Sequence, residues 1–174
     1  MERILLIGAV AIALAGAVCD VRRARIPNWM TYGSVLAGLA VRSAWGWAGL
    51  KAGLLGLAAG GGTFFLFFLL GGLGGGDVKL MAAVGTWAGG PQTVVVLIAA
   101  AIAGGGLAVV YMLYYGRVGT TLLNVLEIAR HHFTTGIKPH PALNVREAGV
   151  LRIPYGLAVA MGTLYCLGET FFRR

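Results

Sequence analysis

Two aspartates, Asp20 and Asp77, are the residues of this chain whose type and position best suit chemistry. Aspartate and glutamate make up only six of the 174 residues, and both of these aspartates adjoin apolar segments. An ionisable group on such a segment is costly to place in a membrane and by default indicates function. Two neighbouring carboxylates do not both ionise readily, so the pair holds one proton. The ionised acid can take a proton from water while the protonated acid polarises a peptide carbonyl, so the pair predicts peptide hydrolysis.

The residues around the two aspartates supply candidates for supporting roles. Gly74 and Gly76 come just before Asp77, and glycine permits positive φ and close approach of another backbone. The alternative for this stretch is a glycine hinge followed by a helix-capping aspartate, and the motif alone favours neither. Lys79 could stabilise an anionic intermediate, or it could be a topology-setting charge that reaches the lipid headgroups.

The loop after Asp20 contains two further candidates. Pro27 is suited to the first turn of a second helix, because proline is tolerated there. Asn28 could bind the substrate backbone or orient a carboxylate, and it could equally cap the second helix.

The composition indicates an integral membrane protein. Of the residues, 58% are hydrophobic and 11% are charged, and the mean hydropathy is +0.82, whereas soluble domains carry about 25% charged residues. The length fits one compact domain, residues 1–174. The net charge of +8 is typical of cytoplasmic loops rich in Lys and Arg, and basic residues are not interleaved with aromatics as a nucleic-acid surface would require.

Neither the cysteines nor the histidines predict a metal or cofactor site. Cys19 and Cys166 lie far apart without a CxxC motif, so a zinc or thiol redox site is not supported. The three histidines fall between residues 131 and 140, without a cluster of carboxylates beside them. We therefore expect no metal and no cofactor.

Six apolar segments predict six transmembrane helices in an all-α fold. They are approximately residues 4–19, 29–47, 52–70, 78–89, 93–115 and 153–172. The fourth is short and needs a tilted or locally thinned arrangement to span. Between the fifth and sixth segments, apolar residues recur at helical spacing, which predicts an amphipathic helix in the cytoplasmic interface. Those residues are Leu122, Val125, Leu126, Ala129 and Phe133.

The basic residues predict how the segments are oriented. Arg22, Arg23 and Arg25 follow the first segment and indicate that the first loop is cytoplasmic. Six spans then place both termini outside. Of the 14 Lys and Arg residues, nine then lie on the cytoplasmic side and five on the outside. Lys51 is expected in a short external connection. Asp20 and Asp77 both fall at the cytoplasmic border, where they can meet if the first and fourth helices are neighbours.

Two motifs at this border resemble the signatures of a known family. Asp20 with residues 25–28, and residues 74–80 around Asp77, are similar to the two motifs of type IV prepilin peptidases, the GxGD-type aspartyl proteases of the inner membrane. Residues 153–156 resemble a further segment that often precedes the last helix. The resemblance covers essentially the whole chain and implies that Asp20 and Asp77 are the catalytic pair.

The resemblance implies a substrate and a location. Family members cut the basic leader, which typically ends in glycine, from prepilin-like membrane proteins at the cytoplasmic face. This chain lacks the cysteine-containing cytoplasmic insertion of the larger members, so it is most similar to the small peptidases of tight-adherence (Flp) pili or to preflagellin peptidases. Two alternative functions are kept. The first is a single enzyme with both peptidase and N-methyltransferase activity and a glycine-rich S-adenosylmethionine site. The second is a small proton-coupled carrier that uses the same two aspartates.

Overall fold

The structure, a computed structural model, describes residues 2–136, 138, 140–143 and 153–172. Within these residues it contains seven α-helices and no strand, which confirms the all-helical prediction. Their bounds are α1 Glu2–Arg23, α2 Asn28–Ser43, α3 Gly46–Leu69, α4 Gly75–Ala88, α5 Gly90–Tyr114, α6 Val118–Thr135 and α7 Tyr155–Phe172. Residues 144–152, between the predicted amphipathic helix and the sixth predicted span, lie outside the described residues.

Three of the described helices, α1, α3 and α5, are long and apolar enough to cross a membrane. These three correspond to the first, third and fifth predicted spans. The helices at the other predicted spans are shorter or less apolar, with 16 residues in α2, 14 in α4 and 18 in α7. Length and composition therefore support a multi-pass membrane protein.

Several helices begin or end beyond their predicted limits. α1 continues to Arg23, so Asp20 lies within the helix rather than at its end; two arginines in the last turn suit the negative end of the helix dipole. α3 begins already at Gly46 and contains Lys51, so the prediction that Lys51 lies in an external connection is wrong. Helix α3 begins this early because the chain reverses direction within two residues, Ala44 and Trp45, and Gly46 then adopts a positive φ of 71°.

Helix α4 forms the centre of the bundle although it is the shortest helix. It packs against α1, α2, α3, α5 and α7, and its side chains Leu80, Met81 and Val84 are fully buried. Its closest neighbour is α3, where Gly56 and Gly85 leave no room for a Cβ on either helix. Small residues of this kind let helix backbones approach in a membrane protein. A short helix can therefore be held in place by neighbours on all sides.

The remaining helices surround this centre. α7 packs against α1 and α5, whereas α6 packs lightly, mainly against α5, and has no buried residue in the described part of the chain. The apolar residues predicted to form one face of α6 are largely exposed, with Leu126 66% and Phe133 92% exposed.

Candidate active site

Helices α1 and α4 are direct neighbours and run antiparallel, and their register brings the two aspartates to the same level. Gly16 of α1 faces Leu80 of α4, and farther from the aspartates Gly8 faces Trp87. Asp20 lies one helical turn beyond Gly16, and Asp77 lies about one turn before Leu80. The two acids, 57 positions apart in sequence, therefore sit level at one end of the bundle, which we call the aspartate end.

Both carboxylates are buried. Asp20 is 4% exposed and Asp77 is 5% exposed. A buried acid needs hydrogen-bond partners or a proton to offset its lost hydration. The surroundings of these two side chains therefore determine what the pair can do.

Asp77 lies in the first turn of α4 and is held by the backbone before it. The backbone N–H of Gly74 donates to its Oδ2 at 3.1 Å, and the backbone N–H of Asp77 donates to the carbonyl oxygen of Gly74 at 3.1 Å. A purely structural, helix-capping aspartate would make the same contacts, so they do not by themselves assign chemistry. The N-terminus of α4 favours a negative charge at this position.

Asp20 is held from a third helix, α7. The backbone N–H of Gly156 donates to Asp20 Oδ2 at 3.0 Å. The neighbouring side chain, Tyr155, lies within electrostatic range of Asp77. The first turn of α7 thus contacts Asp20 directly, and the aspartate end is built from α1, α4 and α7 together.

The loop after Asp20 folds over the start of α4. Ile26 is 9% exposed and packs on Gly76, where a Cβ would lie 3.5 Å from its side chain. Pro27 is the residue that precedes α2, with φ −63°, as predicted for a helix start. Asn28 does not cap α2, because Pro27 occupies that position; its Oδ1 accepts a 2.9 Å hydrogen bond from Lys79 Nζ.

Gly74 and Gly76, which precede Asp77, do not adopt the positive φ that glycine permits. The positive φ of this stretch is at Gly71, with φ 80°, whereas Gly74 is extended, with φ −83°. Gly76 is already part of α4, and a Cβ there would meet only ordinary contacts. The turn is therefore made earlier, and Gly74 contributes its N–H to Asp77.

Lys79 points toward α2 rather than toward a space beside the acids. Besides Asn28, it approaches the ring of Tyr32, with Nζ 5.3 Å from the ring centroid. These contacts fasten the first turn of α4 to the start of α2. They favour a positioning role for Lys79 over contact with a reacting group.

Two residues that hold these helices in place, Arg42 and Gly156, were given no such role from the sequence. Arg42, one of the five basic residues that the six-span topology places outside, is 6% exposed and donates to backbone carbonyls at the end of α4. A lone arginine in an apolar segment is a signal that could have been followed. Gly156 was noted only within a resembling segment, without a role.

An apolar cavity of about 380 Å³ lies between α3 and α5 beside Tyr155. Phe64 and Phe67 of α3 line one side, and Leu97 and Ile98 of α5 line the other. Within the described residues, no three His, Cys, Asp or Glu side chains gather as a metal site would require.

Comparison with known families identifies the class of protein. The model of the type IV leader peptidase family matches residues 6–109, which is more than half of the chain and includes both aspartate motifs. No curated protein and no solved structure matches the chain significantly. The family match, together with three helices apolar enough to cross a membrane, indicates the class of membrane peptidases. The chain belongs to the type IV leader peptidase family, which confirms the predicted resemblance and implies a peptidase with a prepilin-like substrate.

Proposed function

We propose that the protein is an aspartyl endopeptidase that removes the leader from prepilin-like substrates, of the Flp or preflagellin kind, with Asp20 and Asp77 as its catalytic pair. The observation that carries the proposal is the antiparallel register of α1 and α4, in which two buried acids are level with each other. Membership of the leader peptidase family supplies the class of reaction.

The chemistry follows from one proton shared by two carboxyl groups. The ionised carboxylate takes a proton from water as the water oxygen bonds to the scissile carbonyl carbon. The protonated carboxyl group donates a hydrogen bond to the carbonyl oxygen, where negative charge develops. The intermediate then collapses: the C–N bond breaks, the leaving nitrogen receives the proton taken from water, and the pair again holds one proton.

We place this reaction at the cytoplasmic face of the inner membrane, in a protein with six membrane spans. The shorter helices α2, α4 and α7 would span within the bundle, where neighbouring helices cover them. The exposed apolar face of α6 suits a helix lying in the interface, with polar residues toward water. A substrate helix that leaves the bilayer beside the aspartate end would bring its leader junction to the two acids.

A cleavage assay tests the proposal. The detergent-solubilised protein is mixed with a short pilin whose basic leader ends in glycine, and the product is identified by mass spectrometry. Asp20→Asn and Asp77→Asn keep the side-chain shape and remove the acid, so each should lower the rate by at least about 100-fold. The control is Glu169→Gln on α7, far from the aspartate end.

Two outcomes would contradict parts of the proposal. Wild-type cleavage by both asparagine variants would reject the catalytic pair, and an intact substrate after incubation with the wild-type protein would reject the peptidase activity. Adding S-adenosylmethionine to the same assay reports N-methylation by mass, which we do not expect because the larger members' insertion is absent here.

A further inference from the structure

We propose that Gly156 is a positioning residue of the peptidase: its backbone N–H orients the Asp20 carboxylate, and its missing side chain lets α7 approach α1 closely enough to do so. This inference rests on the proposed function of Asp20. The segment matched by the family model ends at residue 109, so the inference is drawn from the contacts of α7 themselves.

The backbone N–H of Gly156 is not required for the hydrogen bonds within α7. Gly156 is in the first turn of α7, where the backbone N–H groups lack partners within the helix. Its N–H donates to Asp20 Oδ2 at 3.0 Å, across 136 positions of sequence. The hydrogen bond fixes the rotation of the Asp20 carboxylate, with Oδ2 turned toward α7.

At Gly156, helix α7 lies so close to α1 that any larger residue would require one of the two helices or a side chain to shift. A Cβ at residue 156 would lie 3.1 Å from Asp20 Cβ, 3.2 Å from Asp20 Oδ2 and 3.3 Å from the Cα of Ala17. The Ala17 Cα is helix backbone, which cannot rotate out of the way. An alanine at residue 156 must therefore displace α7 or Asp20 by a few tenths of an ångström.

The residue before Gly156 anchors this turn from the other side. The ring of Tyr155 packs edge-on against Phe64 of α3, with centroids 5.7 Å apart. It also lies on Gly104 of α5, where a Cβ would be 2.9 Å from its Cε2 atom. Because Tyr155 is held between α3 and α5, the first turn of α7 has little freedom to retreat from Asp20.

The kinetic test is Gly156→Ala with two matched glycine controls on α7. Gly162 packs on the α5 backbone, where a Cβ would lie 2.7 Å from the nitrogen of Ala100, whereas a Cβ at Gly168 would meet nothing within 4 Å. In Gly156→Ala, kcat should fall about tenfold or more through misplacement of Asp20, with KM within about twofold. Gly162→Ala should lower the melting temperature and keep kcat per folded molecule. Gly168→Ala should keep kcat and keep or raise the melting temperature, since alanine favours helix.

These variants separate positioning from packing. Wild-type kcat in Gly156→Ala would overturn the inference. An equal loss of kcat per folded molecule in Gly162→Ala would also overturn it, because any disturbance of α7 would then suffice.

A second measurement does not depend on activity. In protein labelled with 15N-glycine, the Gly156 amide resonance is assigned by its absence in Gly156→Ala. A hydrogen bond to a carboxylate shifts the amide proton downfield, so this resonance should move upfield in Asp20→Ala and stay in place in Glu169→Gln. An unchanged resonance in Asp20→Ala would overturn the inference. If the wild-type protein cleaved no substrate, the proposed function would fail, and this resonance would still decide whether Gly156 holds Asp20.

Discussion

The Nε atom of Arg42 on α2 donates a 2.8 Å hydrogen bond to the carbonyl oxygen of Thr86, in the last turn of α4. Its Nη2 atom donates another of 2.8 Å to the carbonyl oxygen of Trp87. These carbonyls lack partners within the helix, and a cation favours the negative end of the helix dipole. One buried arginine thus holds the end of α4 opposite Asp77.

Replacing Arg42 should therefore destabilise the bundle. Arg42→Met removes the charge and both hydrogen bonds, at a cost of about 2 kcal/mol or more for bonds to a buried charged group. The melting temperature in detergent should fall by several degrees, while Lys51→Gln, an exposed charge on α3, should leave it unchanged. Arg42→Lys should restore only part of the loss, because lysine lacks the planar two-point fork. An unchanged melting temperature in Arg42→Met would contradict the capping role.

The contact between Asn28 and Lys79 should be measurable as a coupling between two mutations. We expect a double-mutant cycle of Asn28→Ala and Lys79→Ala to give a favourable coupling energy of about 0.2–1 kcal/mol, since both groups contact solvent. Each single variant should retain cleavage within about tenfold, because Lys79 positions α4 without touching the reacting atoms. A loss as large as that of Asp77→Asn would instead assign Lys79 to the chemistry, and purely additive effects would deny the coupling.

The glycine contact between α3 and α4 should be intolerant of any side chain. A Cβ at Gly56 would collide with the Gly85 carbonyl group, and a Cβ at Gly85 with that of Gly56. Either alanine variant should cost about 1–3 kcal/mol, the usual range for overpacking, and lower the melting temperature. Gly62 on α3 is the matched control, because a Cβ there meets nothing within 4 Å. Gly62→Ala should keep or raise the melting temperature, since alanine favours helix.

The proposed six-span topology predicts where reporter fusions are active. A reporter that functions only outside the cytoplasm should be active when fused after Gly89 and inactive when fused after Gly136, between α6 and α7. A reporter that needs the cytoplasm should give the reverse pattern. Activity of the external reporter after Gly136 would mean that α4 does not span, and the cytoplasmic placement of α6 would be wrong.

Local sequence features were sufficient to predict most of the elements. Apolar runs separated by Gly, Pro or charged residues predict helices within a few residues of those observed, because hydrophobic periodicity and helix breakers act over short distances. Asp20 and Asp77 could be singled out because acids are rare in this chain and each adjoins an apolar run. The same local reasoning misplaced the start of α3, since a two-residue reversal carries little sequence signal.

By itself the sequence determined that the chain is an all-helical membrane protein with two exceptional acids, since composition and spacing act locally. Only the tertiary structure decided that α1 and α4 are packed neighbours, the condition on which a meeting of Asp20 and Asp77 depends. It also decided that Arg42 is buried at the far end of α4 and that Gly156 contacts Asp20 across 136 positions of sequence. Such contacts depend on how whole helices pack, and no local pattern of side chains specifies which helix faces which.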